Sequence, residues 1–302
     1  MLGNLLEQKV NIVSPTSFRM LGIPSEESPS SPGPVPRIEE LRQKLSAAER
    51  ATGLAGECGA PLDLGIAAID AILGGGLGGG ALHEIAAVRE SEILAATGFA
   101  LGLTARFASR SRRSDTPGRI SRGTAVLWIG EDFLLQENGV PYGLGIEQAG
   151  IAPEHLITVA ATRTRDVLWA MEEALRCRSV GVVIGETAAR GLDQVAMRRL
   201  SLAAAAGDTL GLLLRAGGDD SPCAVATRWI VGAAPSFAPS SSERCRGIGP
   251  PRLALHLTRN RRGRPGAWIV EWNSVEQRFE LATHSEPLAQ AAFDRPYRAA
   301  VA

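Results

Sequence analysis

Lysine is almost absent from this chain. Lys9 and Lys44 stand against thirty arginines, and no lysine follows position 44. A loop of the G-x-x-x-x-G-K-[ST] kind holds nucleotide phosphates with backbone N–H groups, a helix N-terminus and a lysine. That chemistry has no lysine to use in the body of this chain. A genome-wide preference for arginine explains the composition, but it would still leave a cation at such a loop. Cysteine is scarce too. Cys58, Cys177, Cys223 and Cys245 form no C-x-x-C pair and have no histidine at ligand spacing, so neither a disulfide framework nor a metal site is expected. No apolar run approaches the roughly 20 residues of a membrane span, and the N-terminus lacks the basic-then-apolar layout of a secretory signal. A cytoplasmic protein without a membrane partner is expected. Net charge is zero, so any nucleic acid must be held by local patches.

What is present is the composition of an ordinary core, 45% hydrophobic and 21% charged over 302 residues, enough for one large domain or two small ones. A Ser/Pro/Glu run at 25–36 has too few large apolar groups to offset its ordering entropy, so residues 1–36 are expected to form a disordered extension. Ile38, Leu41 and Leu45, spaced among charged residues, predict one amphipathic helix over 37–52, with a linker reaching position 58. From 59 to 285 apolar β-rich runs alternate with helical ones, the pattern of a mostly parallel twisted sheet flanked by helices. Strands are expected at 81–86, 125–129, 156–160, 180–184 and 210–214, and helices at 91–108, 165–178 and 192–207. Past Pro250 the runs 252–258 and 267–272 flank a basic turn and predict an antiparallel hairpin. Residues 286–302 are expected to be an irregular tail, and no internal repeat is visible.

The stretch 64–85 reads as a short helix, a glycine turn and a strand. A phosphate loop would begin just after that strand, but the chain continues Ala86-Ala87-Val88-Arg89-Glu90-Ser91-Glu92-Ile93-Leu94. Ile93 takes the place of the lysine, with Glu90 and Glu92 beside it. Carboxylates in a helix's first turn stabilise its positive end by roughly 0.3–1 kcal/mol each, but they repel a phosphate from the same field. The expectation is a loop that does not hold nucleotide tightly, needing no cofactor, with Arg89 as the one cation able to contradict it.

Glu131 and Glu186 each close a predicted parallel strand, and ligand crevices of open α/β sheets lie beyond such ends. Two readings stand: paired acids that hold Mg²⁺ or activate water, or acids hydrogen-bonded at a loop. His83 and Glu84 are neighbours on a strand, so they face opposite sides and form no shared catalytic pair. Arg106, Arg110, Arg112, Arg113, Arg119 and Arg122 gather against Asp115 between a helix and a strand, as a mobile surface loop that either contacts DNA or is simply solvated. The tip at 259–264, with Arg259, Arg261, Arg262 and Arg264, is the better interaction candidate because a hairpin fixes its charges in one place. Trp268 and Trp272 share one sheet face, where core packing and base stacking are the two readings.

This order of elements resembles the RecA-like core of bacterial recombinases over about residues 60–275. Val126-Leu127-Trp128-Ile129-Gly130-Glu131 looks like the strand ending in that family's water-activating glutamate, and Val180-Gly181-Val182-Val183-Ile184-Gly185-Glu186 like its Walker B strand. Arg259 and Arg261 sit like its paired cations that reach a neighbouring subunit's nucleotide. The departures are the lost Gly-Lys-Thr at Glu92, Ile93 and Leu94 and the longer acid Glu186 in place of the Walker B aspartate. A closer similarity is to the inducible mutagenesis protein A (ImuA) family. It is carried by Leu73-Gly74-Gly75-Gly76-Leu77, Gly80-Ala81-Leu82-His83-Glu84-Ile85, Pro251-Arg252, Arg259-Asn260-Arg261-Arg262-Gly263 and Trp268-Ile269-Val270-Glu271-Trp272. That resemblance implies a non-catalytic accessory of damage-induced (SOS) translesion synthesis. Its implied partners are a Y-family-like polymerase partner, an error-prone polymerase and RecA, with DNA as a further one. Two alternatives remain: a weak ATPase using Arg89, Glu131 and Glu186, and, since some relatives carry a SulA-like designation, an SOS inhibitor of cell division.

Overall fold

The computed structural model describes residues 61–113, 123–189, 191–218, 224–236 and 249–282, the side chains of 111–113 excepted. The expected disordered extension, leading helix and irregular tail lie outside the described residues. So do Asp115, Arg119 and Arg122 and the side chains of Arg112 and Arg113.

Helix α1 (Ala67–Ile72) is short and held at its start by Asp70, whose carboxylate accepts the backbone N–H groups of Leu64 (2.7 Å) and Gly65 (3.2 Å). Three successive positive φ values at Gly74, Gly75 and Gly76 then turn the chain. A side chain at Gly76 would meet the Leu62 carbonyl at 2.3 Å, so only glycine lets Leu77 pair with Leu62 across this turn. Strand β1 (Leu82–Ala87) follows, buried along its whole length. Next come α2 (Ile93–Arg113), β2 (Ala125–Glu131), the short α3 (Asp132–Glu137) and α4 (Gly143–Gln148), β3 (Leu156–Ala161), α5 (Thr164–Arg176), β4 (Val180–Thr187), α6 (Gln194–Gly207) and β5 (Leu210–Arg215). The last four elements are β6 (Thr227–Ala234), β7 (Arg252–Asn260), β8 (Gly266–Asn273) and β9 (Arg278–Leu281).

Among the described residues nine strands form one sheet in the order β3-β2-β4-β5-β1-β6-β7-β8-β9. The first six in that order run parallel, and β6 to β9 are antiparallel. This is the mostly parallel α/β sheet flanked by helices expected from the sequence, with the predicted hairpin as β7–β8. The central strands are buried on both faces, as parallel strands must be when helices cover them. One face carries α2, with Phe99, Leu103 and Phe107 in the core; the other carries α5 and α6 through Val167, Met171, Leu175, Met197 and Leu200. No helix among the described residues is long and apolar enough to cross a membrane.

Two strands escape the sequence reading. β6 does so because Arg228 interrupts an otherwise apolar run, and β9 because four residues are too few to show a period. Helix α2 runs on to Arg113, so Arg106 and Arg110 are helical and anchored, not part of a mobile loop. Arg106 is ion-paired to Asp63 and also donates to the carbonyls of Asp63 and Gln277, and Arg110 donates to the Pro61 carbonyl.

A chain of aromatic rings seals the α2 face under the antiparallel strands. Trp268 lies 6.3 Å from Trp229, Trp229 and Phe279 each 5.3 Å from Phe99, and Trp272 4.8 Å from Phe279, centroid to centroid. The two tryptophans of the hairpin therefore pack into the core. Gly102 makes room for this, since a β-carbon there would come within 2.3 Å of the Phe279 ring. Gly98, one helical turn earlier, has nothing within 4 Å. Gly102→Ala should therefore lower stability by about 1–3 kcal/mol despite alanine's better helix propensity. Gly98→Ala should raise it by about 0.5–1 kcal/mol. Denaturant unfolding of both variants checks this, and equal shifts of the same sign would remove Gly102 from the packing argument.

Candidate functional site, the carboxyl end of the parallel strands

Beyond β1 the chain does what a phosphate loop does in outline and differs in chemistry. Residues 88–92 leave the strand, make one 3₁₀ turn at Glu90–Glu92, and enter α2 at Ile93. The Ile93 side chain is in the core and only 7% exposed, while Leu94 points outward. Glu92 turns to the neighbouring strand: its Oε2 accepts the Ala233 N–H at 2.9 Å, and its Oε1 lies 3.3 Å from Arg89 Nε. The Val88 N–H donates to the Val231 carbonyl at 2.9 Å. Gly232 allows this closeness, since a β-carbon there would meet Glu92 at 2.8 Å and Val88 at 3.1 Å. The loop is thus closed onto β6 by its own carboxylate. Beside it lies an open groove of about 800 Å³ between residues 88–91 and 216–218, where Arg89 stands 75% exposed.

The two acids do not meet. Glu186 lies on the α2 face, buried, and accepts the Trp128 indole N–H (3.0 Å) and the Asn138 side-chain amide (3.1 Å). Glu131 lies on the α5 face, where its Oε1 accepts the hydroxyls of Thr187 and Thr164, the latter at 2.8 Å. Side chains alternate across a sheet. With Gly130 opposite Glu186 in the register, Glu131 projects from the other side. One metal ion cannot be shared between them, and each carboxylate already has two donors. Of the two readings from the sequence, the geometry matches hydrogen-bonded acids. Nor does Arg89 join them, because it leans on Glu92.

The hairpin tip is fixed from beneath and charged above. Asn260 Nδ2 donates to the Ile72 carbonyl (3.0 Å), its Oδ1 accepts the Arg262 N–H (3.0 Å), and the Arg261 N–H donates to the Ala226 carbonyl (3.0 Å). Arg261, Arg262 and Arg264 are exposed, whereas Arg259 is half-buried and opposite Arg228 in the ladder. Three of the four predicted cations are thus displayed together. Next to the tip, the glycine turn meets His83. Its Nε2 lies 3.0 Å from the Gly78 carbonyl and its Nδ1 2.8 Å from Thr227 Oγ1, which also accepts the Trp229 indole N–H at 2.9 Å. An indole only donates and a carbonyl only accepts. The direction of the chain is therefore Trp229 to Thr227 to His83 to Gly78, and His83 carries its single proton on Nε2.

No family model matches the chain. Over 209 residues it is 34% identical to Protein ImuA of Caulobacter vibrioides in each of two strains, a match spanning 66% of this chain and 77% of the relative. The chain belongs to the ImuA family. In this member of the family the loop that follows β1 is closed onto β6 by Glu92.

The sequence reading missed the most heavily charged feature of this ImuA-family core. Glu84, fully buried on β1, is held by Arg215 Nη1 (2.8 Å) from β5 and by Arg228 Nε (2.8 Å) from β6, and Arg215 also donates twice to the Ala189 carbonyl. A signal was available: a glutamate inside a strand buried on both faces must have a cationic partner, and Arg215 closes a predicted strand. Burial also lowers the His83 pKa to about 4, an effect the Gly78 carbonyl opposes and Arg262 reinforces. Between about pH 4 and 6.5 the unfolded chain binds the extra proton and the folded chain does not, so stability is complete above about pH 6.5 and falls as pH drops. The loss attributable to His83 should reach about 3 kcal/mol by pH 4. Unfolding curves of the parent and His83→Gln from about pH 7.5 to about pH 4 check this; parallel pH profiles would contradict it.

Proposed function

We propose that this chain is a non-catalytic RecA-like accessory protein of damage-induced mutagenesis and translesion DNA synthesis. It acts by binding: to the Y-family-like polymerase partner of the same cassette, to RecA, and through its basic hairpin to DNA. Membership of the ImuA family supports the process. The observation that carries the mode of action is the closed loop, with Ile93 in the core and Glu92 bonded to the Ala233 N–H. A recombinase domain that keeps its surfaces but has no nucleotide switch is a fixed adaptor. It joins its partners without cycling between states.

The hairpin supports the nucleic-acid and filament side of this reading. Its arginines are displayed on a rigid turn, and cations in one place neutralise phosphates or meet acidic protein surfaces in a salt-dependent way. Binding to the polymerase partner is expected to be equal with and without ATP and Mg²⁺. Replacing Arg261, Arg262 and Arg264 with alanine should weaken affinity for DNA or a RecA filament at low salt by about tenfold or more. The melting transition should stay in place, since exposed cations contribute little to folding. Affinity measurements with each purified target, with and without nucleotide, test this. A partnership that needs ATP, or binding to the septal tubulin homologue in place of the polymerase partner and RecA, would contradict the proposal.

A further inference from the structure

The sheet's other end carries a surface that neither the loop nor the hairpin explains. Between positions 123 and 162 this arginine-rich chain contains no lysine and no arginine, while Glu131, Asp132, Glu137, Glu147 and Glu154 fall within it. The next cations along the chain are Arg163 and Arg165. Inside the same stretch, α3, α4 and the loop joining them expose Phe133 (59%), Val140 (59%), Tyr142 (69%) and Leu144 (56%). Single exposed apolar side chains are common on any protein, but four within twelve residues, two of them aromatic, form a concentration of the kind that interfaces use.

This segment is not loose chain. Leu134 and Leu135 anchor α3 in the core, Ile146 anchors α4, and Asn138 fixes the connecting loop through its hydrogen bond to the buried Glu186. The exposed side chains therefore project from a braced platform, and Glu186 serves as a strut beneath it. Glu137 and Glu147 are exposed within it, and the segment itself holds no lysine or arginine.

We propose that the α3–α4 surface is a docking site for a protein segment that presents apolar side chains flanked by lysine or arginine. Charge decides the class of occupant. A negative field repels DNA phosphates and anionic lipid headgroups, while it attracts a basic polypeptide and orients it on approach. The apolar side chains of the occupant would cover Phe133, Val140, Tyr142 and Leu144. Its cations would lie against Glu137 and Glu147. The site is separate from the basic hairpin, so one chain can engage a basic protein segment and an anionic target at once. It does not depend on which process the chain serves.

The probe is a synthetic amphipathic helical peptide with leucines on one face and arginines on the other, together with a twin in which glutamates replace the arginines. Both are titrated onto the full chain at low and at physiological salt. The arginine peptide should bind saturably and at least about tenfold more tightly than its twin, with affinity falling as salt rises. Phe133→Ser combined with Tyr142→Ser and Leu144→Ser should weaken that binding about tenfold or more, as should Glu137→Lys combined with Glu147→Lys. These positions are exposed, so the melting transition should hardly move, and the charge variant keeps the test valid should the serine variant unfold. Equal binding of the two peptides, or binding that survives both variants, would overturn the proposal. So would a single-stranded oligonucleotide that binds through the same side chains.

Discussion

A full negative charge sits in the middle of this sheet, and the arrangement of the strands around it follows from how it is compensated. Glu84 on β1 is fully buried, and the arginines that hold it come from the strands on either side, Arg215 on β5 and Arg228 on β6. An uncompensated buried charge costs about 3–5 kcal/mol when one partner is removed. The three strands therefore belong together in one register. β6 is where the parallel half of the sheet passes into the antiparallel half. The ion triad thus joins the parallel part of the sheet to the antiparallel part that displays the basic hairpin.

On the opposite face of the same strands a neutral network does comparable work. The hydrogen bonds from Trp229 through Thr227 and His83 to Gly78 run from β6 across β1 into the glycine turn. The end of α1, which leads into that turn, supports the hairpin tip through the Ile72 carbonyl and Asn260. Charge on one face and a directed chain of neutral donors on the other lock β1 between its neighbours. This explains why a strand carrying histidine and glutamate side by side is buried along its length. Both residues are structural, and their alternation across the sheet puts them in separate networks.

Much of the architecture was legible because it rests on periodicity. The alternation of buried strands and amphipathic helices gave the parallel sheet, and the glycine run and the basic turn marked where the chain reverses. The separate environments of His83 and Glu84 followed from the two-residue repeat of a strand. What was illegible depended on contacts distant in sequence. Arg228 looked like an interruption because its partner, Glu84, lies far away in the chain, and so β6 went unread. Glu131 and Glu186 looked like a pair because both end strands; only the register, with Gly130 opposite Glu186, shows that they face apart. The cations after α2 looked like one loop, yet Arg106 and Arg110 are bound to the segment that leads into α1.

The central claim is that the loop after β1 is closed by the chain itself. Glu92 occupies the Ala233 N–H and Val88 is bonded to Val231, with Ile93 beneath them in the core. The most direct measurement is amide hydrogen exchange at Val88 and Ala233, with and without ATP and Mg²⁺. The account predicts that both amides are strongly protected without nucleotide and that its addition leaves them unchanged. Amides that exchange freely on their own and become protected only when nucleotide is added would contradict it.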